Sequence, residues 1–452
     1  MARLLSWLLN LVYLVVIFAC APLIVWQVIR TGKYREGYRE KFLGLVPRRL
    51  GDATCVWIHA VSVGEVNLVA TLLRELRAAH PHWQFVISTT SRAGFELARE
   101  RYADLSVVYC PLDFSWAVRT AMRRVRPTLL VLAELELWPN LIVAAKQHSA
   151  QVAVINGRLS DHSFPGYRRI RPLVARVLQQ IDLIAAQNEE SAERFRALGA
   201  PPERVRVTGS LKYDGAQTDR NNPRTVALRQ LAGIAEDDIV FLAGSTQEPE
   251  EQVAVDIFRR LAPKHPQLRL ILVPRHPERF EGVAKLLDTS GLMWVRRSQL
   301  NRKRLPTHCV EDSRDATQRR PILLVDTVGE LGVWWGMASI AFVGGSFGSR
   351  GGQNMIEPAA YGAAVSFGAN TWNFRDIVAA LLRAEAAVVV QNAHELDAFV
   401  RRCLENPPYA AGLGARAQQL VRSQLGATGR TAALLESLLP TKTDMATIRS
   451  AA

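Results

Sequence analysis

Hydrophobic and polar positions divide the chain into two regimes. Between positions 4 and 29 there is no charged residue, a run of 26 positions. As a helix this run is about 39 Å long at ~1.5 Å per residue, enough to pass through a hydrocarbon core of roughly 30 Å. The pattern predicts an N-terminal membrane helix, with Trp7, Tyr13 and Trp26 near the interfaces and a kink at Pro22. From Cys55 onward, short apolar runs alternate with amphipathic stretches. Runs at 56–61, 85–90, 105–109, 129–133, 152–155, 183–186 and 205–208 read as buried strands, with helices between them at 65–79, 95–102, 116–125, 141–147 and 190–198. Such alternation predicts a parallel sheet covered by helices on both faces.

The polar stretch 214–225 (DGAQTDRNNPRT) interrupts this rhythm and reads as a linker. A second series then follows, with strands expected at 240–243, 270–273, 322–325, 340–343 and 364–367. Positions 296–320 read as a surface excursion, 160–171 as a loop facing the membrane or an acceptor, and 413–439 as mostly helical. The expected organisation is an anchor over 1–30, a first α/β domain over 31–213, a linker over 214–225 and a second α/β domain over 226–452. Ligands of doubly wound sheets bind beyond the carboxyl ends of the strands, and for two such domains the natural site is the cleft between them.

Composition narrows the choice of partner. Hydrophobic residues make up 48% and charged residues 22%, which excludes bulk disorder. The 56 Lys and Arg against 42 Asp and Glu leave +14, a balance suited to an anionic membrane, a phosphorylated ligand or a nucleic acid. No platform of interleaved aromatic and basic residues stands out, so no nucleic acid is expected. Arg30, Lys33, Arg35, Arg39, Lys41, Arg48 and Arg49 follow the apolar run directly. They point to anionic inner-membrane lipids and place the rest of the chain on the cytoplasmic side. A cleaved signal is disfavoured by the length of the run, and a lipoprotein signal by its continuation past Cys20. Cys20, Cys55, Cys110, Cys309 and Cys403 show no CxxC spacing, which argues against a disulfide framework or zinc cluster and for a reducing compartment.

Neither GxxxxGK[ST] nor HExxH occurs. Gly344-Gly345-Ser346-Phe347-Gly348 matches GxSxG, but more glycine-rich loop follows where a nucleophile elbow needs a helix. The remaining candidates sit at strand ends. In His59-Ala60-Val61-Ser62-Val63-Gly64-Glu65, Gly64 is expected to turn the backbone and Glu65 to project from the first helical turn. Two readings of Glu65 stand open: a general base on a hydroxyl, or a helix-capping residue, and a helix N-terminus that favours the ionised form also weakens the base. Glu134 and Glu136 in AELELWPN are expected to share one side of an extended segment. Lys212 in TGSLKYD is placed to neutralise a leaving phosphate, or else is a solvated lysine. In the second series, Pro274-Arg275-His276-Pro277 presents a guanidinium suited to phosphate. Asp326-Thr327-Val328-Gly329-Glu330 has the same strand-end placement. The glycine-rich run from Gly344 leads to Asn354-Met355-Ile356-Glu357, where backbone amides and a helix N-terminus suit an anion and Glu357 suits ribose hydroxyls.

Seven motifs in order, HAVSVGE, AELELWPN, AAQNEE, TGSLKYD, VPRHPERF, DTVGEL and FVGGSF with GGQNMIEPAAYG, resemble the 3-deoxy-D-manno-octulosonic acid (Kdo) transferases of Gram-negative bacteria. The resemblance implies a GT-B fold, with two Rossmann-like domains facing a cleft, and inverting transfer of Kdo from CMP-Kdo to the lipid A precursor. It implies Glu65 as general base, Glu134 and Lys212 as stabilisers of the transition state, and Pro274, Arg275, Val328, Gly329, Glu330, Asn354, Met355, Ile356 and Glu357 as CMP-binding residues. CMP leaves through a single phosphodiester, so cationic side chains and helix N-termini suffice in principle, and no metal or other cofactor is expected. Gln247 and Gln353 depart from residues common in the family. The alternatives are a GT-B enzyme using a UDP-sugar and a lipid acceptor, or a membrane-tethered nucleotide-binding scaffold.

Overall fold

In the computed structural model, residues 2–31, 36–300 and 320–439 are described. Lys33 and Arg35 of the basic flank, Cys309, and most of the 296–320 excursion lie outside the described residues. Two compact units emerge, one comprising Met1–Gly215 with Gln424–Ala452 and the other Ala216–Ser423.

The first unit opens with α1 (Ala2–Thr31) and α2 (Tyr38–Leu43), followed by β1 (Cys55–His59), α3 (Val63–Ala79), β2 (Gln84–Thr89), α4 (Arg92–Arg101) and β3 (Ser106–Tyr109). It continues through α5 (Ser115–Val125), β4 (Leu129–Ala133), α6 (Pro139–Gln147), β5 (Gln151–Gly157), α7 (Phe164–Arg169), α8 (Arg171–Leu178), β6 (Leu183–Ala186), α9 (Glu189–Ala197) and β7 (Val205–Val207). Its seven strands are parallel, in the order β3-β2-β1-β4-β5-β6-β7. Alternate residues of one strand feed opposite cores. Val56 and Ile58 of β1 join Val69, Leu72 and Leu76 of α3, while Cys55 and Trp57 join Val118 and Met122 of α5. Burial on both faces is why these strands read as unbroken apolar runs. The helix α1 contains a stretch, Ser6–Leu23, that is long and apolar enough to cross a membrane.

The second unit contains α10 (Pro223–Leu231), β8 (Ile239–Thr246), α11 (Glu250–Leu261), β9 (Leu268–Pro274), α12 (Phe280–Ser290), β10 (Trp294–Arg296), α13 (Arg297–Leu300), β11 (Ile322–Leu324) and α14 (Leu331–Trp334). It is completed by β12 (Ile340–Val343), α15 (Ile356–Ala360), β13 (Ala364–Phe367), α16 (Arg375–Arg383), β14 (Ala387–Val389), α17 (Ala393–Glu405) and most of α18 (Pro407–Gln424). Its sheet is also seven-stranded and parallel, ordered β10-β11-β9-β8-β12-β13-β14. In each sheet the chain builds outward in opposite directions from a central pair of strands, β1 beside β4 and β8 beside β12, and in the second sheet β10 additionally lies outside β11. Those two switch points are where an open parallel sheet receives its ligand.

Four expectations change. The terminal helix α19 (Ala427–Ser437) sends Ala427, Ala432 and Leu435 into the core shared with α3, so the chain returns to the first unit instead of ending in the second. Asp214 fastens this return by accepting from the N–H groups of Gly426 and Thr428. The 214–225 segment is structured: Arg220 donates to the carbonyls of Tyr361 (2.6 Å) and Ala338 (2.7 Å), and Asn222 caps α10. Helices α7 and α8 replace most of the loop expected over 160–171. Finally, β10 and β14 are edge strands of three residues each, too short to leave a periodic signal.

Candidate active site

At the first switch point, Ser62 caps α3 and accepts from the N–H of Glu65 (3.4 Å). The Glu65 carboxylate folds back, accepting from Ser62 Oγ (2.9 Å) and from the Val61 N–H (2.9 Å). This is a reciprocal cap, so the capping reading of Glu65 is correct as far as it goes. Gly64, expected to make the turn, lies inside the helix, where an added Cβ would meet only Ser62 Oγ at an ordinary 3.7 Å, and has no conformational need for glycine. Burial pushes the Glu65 carboxyl up to about 7; its two hydrogen bonds oppose the shift, and the charges of Glu134 and Glu136 add to it. A capped carboxylate whose proton affinity matches neutral pH is held in place and still able to take a proton.

Glu134 follows β4 at φ +56°, left-handed, and its N–H donates to the Ile155 carbonyl (2.9 Å). The segment is therefore a turn and not extended, which breaks the alternation expected to put Glu134 and Glu136 on one side. Glu134 pairs with Lys212 Nζ at 3.2 Å, whereas Glu136 accepts from Trp138 Nε1 at 2.8 Å. Burial raises the Glu136 carboxyl, against the Trp138 hydrogen bond and with the Glu134 charge. Lys212 is therefore an ion-pair partner, not a free surface lysine. Asn156, buried at the end of β5, accepts from the Leu211 N–H (3.1 Å) and so fixes the Lys212 loop. His59 is fully buried, and burial holds its imidazole neutral, down to about 4, against the Ser88 carbonyl contact.

In the second unit the glycine-rich loop after β12 is already satisfied from within. The N–H groups of Gly345 (2.7 Å), Ser346 (2.9 Å) and Phe347 (3.0 Å) all donate to Glu250, and so does Gln247 (2.9 Å). These amides were expected to face a ligand; instead they hold a buried carboxylate. Ser346 Oγ donates to Val343 O (2.6 Å) and accepts from Gly368 N, so it is no nucleophile. Glu330 is likewise engaged, by both arms of Arg297 (2.9 and 2.8 Å) and by Thr327 (2.7 Å). Although burial pushes upward, those donors keep its carboxyl below the usual range. Its neighbour Val328 is 77% exposed and Gly329 has φ +87°, which leaves the backbone of this turn open.

Arg275 is exposed; its N–H donates to the Thr246 carbonyl (3.1 Å), and its guanidinium makes no hydrogen bond or ion pair among the described residues. Asn354 accepts from the Ile356 N–H (3.1 Å) and donates to Glu357 (3.1 Å). Burial raises the Glu357 carboxyl, opposed by Asn354 and by the charge of Arg275, which brings Arg275 and Glu357 into one group. Pro274, Met355 and Ile356, expected to bind CMP, have buried side chains. Among the described residues no group of three or more His, Cys, Asp or Glu side chains is placed to hold a metal ion.

The family model of 3-deoxy-D-manno-octulosonic-acid transferase (kdotransferase) matches residues 36–215. A 3-deoxy-D-manno-octulosonic acid transferase of Haemophilus influenzae is 32% identical over 438 residues, covering 94% of this chain and 98% of that protein. The chain belongs to the Kdo transferase family. A second member, from Bordetella pertussis, is 30% identical over 444 residues, 95% of this chain and 99% of that one. A glycosyltransferase of Rickettsia africae aligns at TM-score 0.50 and 11% identity, covering 86% of this chain and 99% of that structure; this likeness shows the fold alone. The Kdo transferase fold is thus GT-B, and the enzyme is a glycosyltransferase. Two residues that shape its sites went unread in the sequence. Glu250 carried only a faint Gln-x-x-Glu spacing with Gln247, and Asn156 carried none.

Proposed function

We propose that this Kdo transferase moves Kdo from CMP-Kdo to a lipid A precursor at the cytoplasmic face of the inner membrane, with inversion and without a metal ion. The observation that carries the reading is Glu65, a carboxylate oriented by two hydrogen bonds yet pushed up to about 7. Its carboxylate takes the proton of the acceptor hydroxyl. The acceptor oxygen bonds to the anomeric carbon of Kdo from the face opposite the phosphate, the bond to the phosphate oxygen breaks, and CMP leaves with the electron pair. Glu134 opposes the positive charge that develops on the sugar, and Lys212 holds Glu134 in place through their 3.2 Å contact. Arg275, the open turn at Val328 and Gly329, and Asn354 with Glu357 hold the nucleotide. The family relationship supports both substrates.

The test is transfer by the full-length protein from CMP-Kdo to a tetraacylated lipid A precursor in EDTA, with products weighed by mass spectrometry. Product in EDTA is expected; its absence with and without added divalent metal would overturn the reading. The same assay yields a pH profile. Glu65 works as its ionised form, so kcat/KM for the acceptor should climb tenfold per pH unit below about 7 and level off above it. A profile flat down to pH 5 would remove Glu65 from the base role. For the donor, Arg275→Ala should raise the CMP-Kdo KM about tenfold to a hundredfold, since a charge-assisted hydrogen bond contributes about 1.5–3 kcal/mol. The acceptor KM should stay put, and Arg275→Lys should recover only part of the loss.

A further inference from the structure

The N-terminal helix is fastened to the first unit by its own polar residues. Asn10, 2% exposed, donates to Ser115 Oγ (2.8 Å) and accepts from the Ser115 N–H (3.0 Å). One turn along, Tyr13 donates to Asp113 Oδ2 (3.0 Å) and sets its ring edge-on to Phe114 at 6.0 Å. Asp113 is buried and also accepts from the N–H groups of Asn140 (3.1 Å) and Leu141 (2.8 Å) at the start of α6. The clasp is therefore part of the folded interior of the unit.

Buried and half-buried positions on α1 form one stripe: Ser6, Leu9, Asn10, Tyr13, Ile17 and Ala21. Their spacing of three and four residues is a single helix face. Trp7, Leu11, Phe18, Leu23 and Trp26 on the remaining surface are more than half exposed. That outward face is apolar, and Arg30 closes it by sitting over the Trp26 ring at 5.0 Å.

These contacts conflict with a crossing. In a helix that crosses with Arg30 at the cytoplasmic interface, Asn10 lies about 30 Å away, beyond the hydrocarbon. Ser115 and Asp113 would then have to be there too. Yet only four residues, five Cα steps, separate Thr31 from Glu36, a reach of at most about 18 Å, and Glu36 accepts from Tyr109 OH (3.2 Å) in that same unit. One folded unit, with its buried carboxylate and backbone amides, cannot lie on both sides of a bilayer or within it.

We propose that α1 does not cross the membrane: it stays clasped to the first unit and buries its outward apolar face in the hydrocarbon of the cytoplasmic leaflet. This rests on the membrane-associated reading above, and it makes the anchor a fixed strut that sets the height of the Glu65 end of the sheet over the lipid surface. The clasp meets α6 just after the Glu134–Trp138 turn, so the strut also braces the segment that carries Glu134.

Topology tests it without reference to transfer. In Cys20→Ser, Cys309→Ser protein, an added Ala2→Cys should react with a membrane-impermeant maleimide only after sealed spheroplasts are permeabilised; labelling of intact spheroplasts would overturn the inference. Asn10→Leu with Tyr13→Phe should speed amide exchange at 113–115 about tenfold in lipid nanodiscs, because the clasp is gone while the helix stays apolar. Unchanged exchange would show that the clasp does not hold α1. Failure of the wild-type protein to float with anionic vesicles would sink the membrane reading, and this inference with it.

Discussion

Glu65→Gln should lower the rate of transfer by about a thousandfold while leaving the protein folded. The magnitude follows from general base catalysis, which contributes on the order of 10²–10⁴, here from a carboxylate with proton affinity near the working pH. Gln keeps an acceptor for Ser62 Oγ or the Val61 N–H, so the helix start survives. Stability separates this loss from misfolding. The folded carboxyl titrates near 7 and the unfolded one near 4.5, so between those values the folded state holds the proton more tightly. Wild-type stability therefore falls as pH rises through that window, because ionising Glu65 opposes folding. Gln does not titrate. Relative to wild type, the variant should gain in Tm between pH 5 and pH 8 while remaining inactive throughout. An active variant would remove the base; an inactive one with a depressed Tm at pH 8 would show that Glu65 serves only the cap.

Capping and catalysis read as competing roles for Glu65 in the sequence, and the geometry makes them compatible. The cap aims the carboxylate, while burial and the neighbouring charges of Glu134 and Glu136 supply basicity. Its position after β1 was legible because β1 is buried on both faces and leaves a plain apolar run. The geometry after β4 was not. A left-handed residue at Glu134 leaves no mark in a hydrophobic pattern, and it turns a predicted pair of like-facing carboxylates into an ion pair with Lys212 and a separate bond to Trp138. The glycine-rich run was legible as a site of close backbone approach, but not what approaches it, since Glu250 lies 95–97 positions earlier. The terminal helix shows a similar limit. Its periodicity reveals an apolar face, whereas the choice between two similar sheets depends on tertiary contacts such as Asp214 with Gly426 and Thr428.

Glu250→Gln should produce the largest loss of stability among single substitutions in the second unit. The carboxylate joins the ends of β8 and β12 across the switch point, accepting four N–H groups while only 1% exposed. Burial raises its carboxyl, and the four donors pull it back towards the ionised form. Gln retains one acceptor oxygen and turns an NH2 group towards two of the N–H donors, leaving them unpaired in a buried site. At about 1–3 kcal/mol for each unsatisfied group, the cost of two is about 2–6 kcal/mol. For a unit of this size that corresponds to a fall in Tm of about 10 °C. Two transitions should be resolved by calorimetry, with only the one stabilised by CMP moving down. Gly344→Ala strikes the same joint from the other side, since an added Cβ would lie 2.6 Å from Glu250 Oε2 and 2.7 Å from the Thr246 backbone. If Glu250 instead touched the donor directly, the opposite pattern should appear: an unchanged Tm without nucleotide and a raised KM for CMP-Kdo. A shifted transition in both variants, with donor KM rising only as folded protein is lost, would identify the carboxylate as the internal ligand that makes the nucleotide loop rigid before any nucleotide arrives.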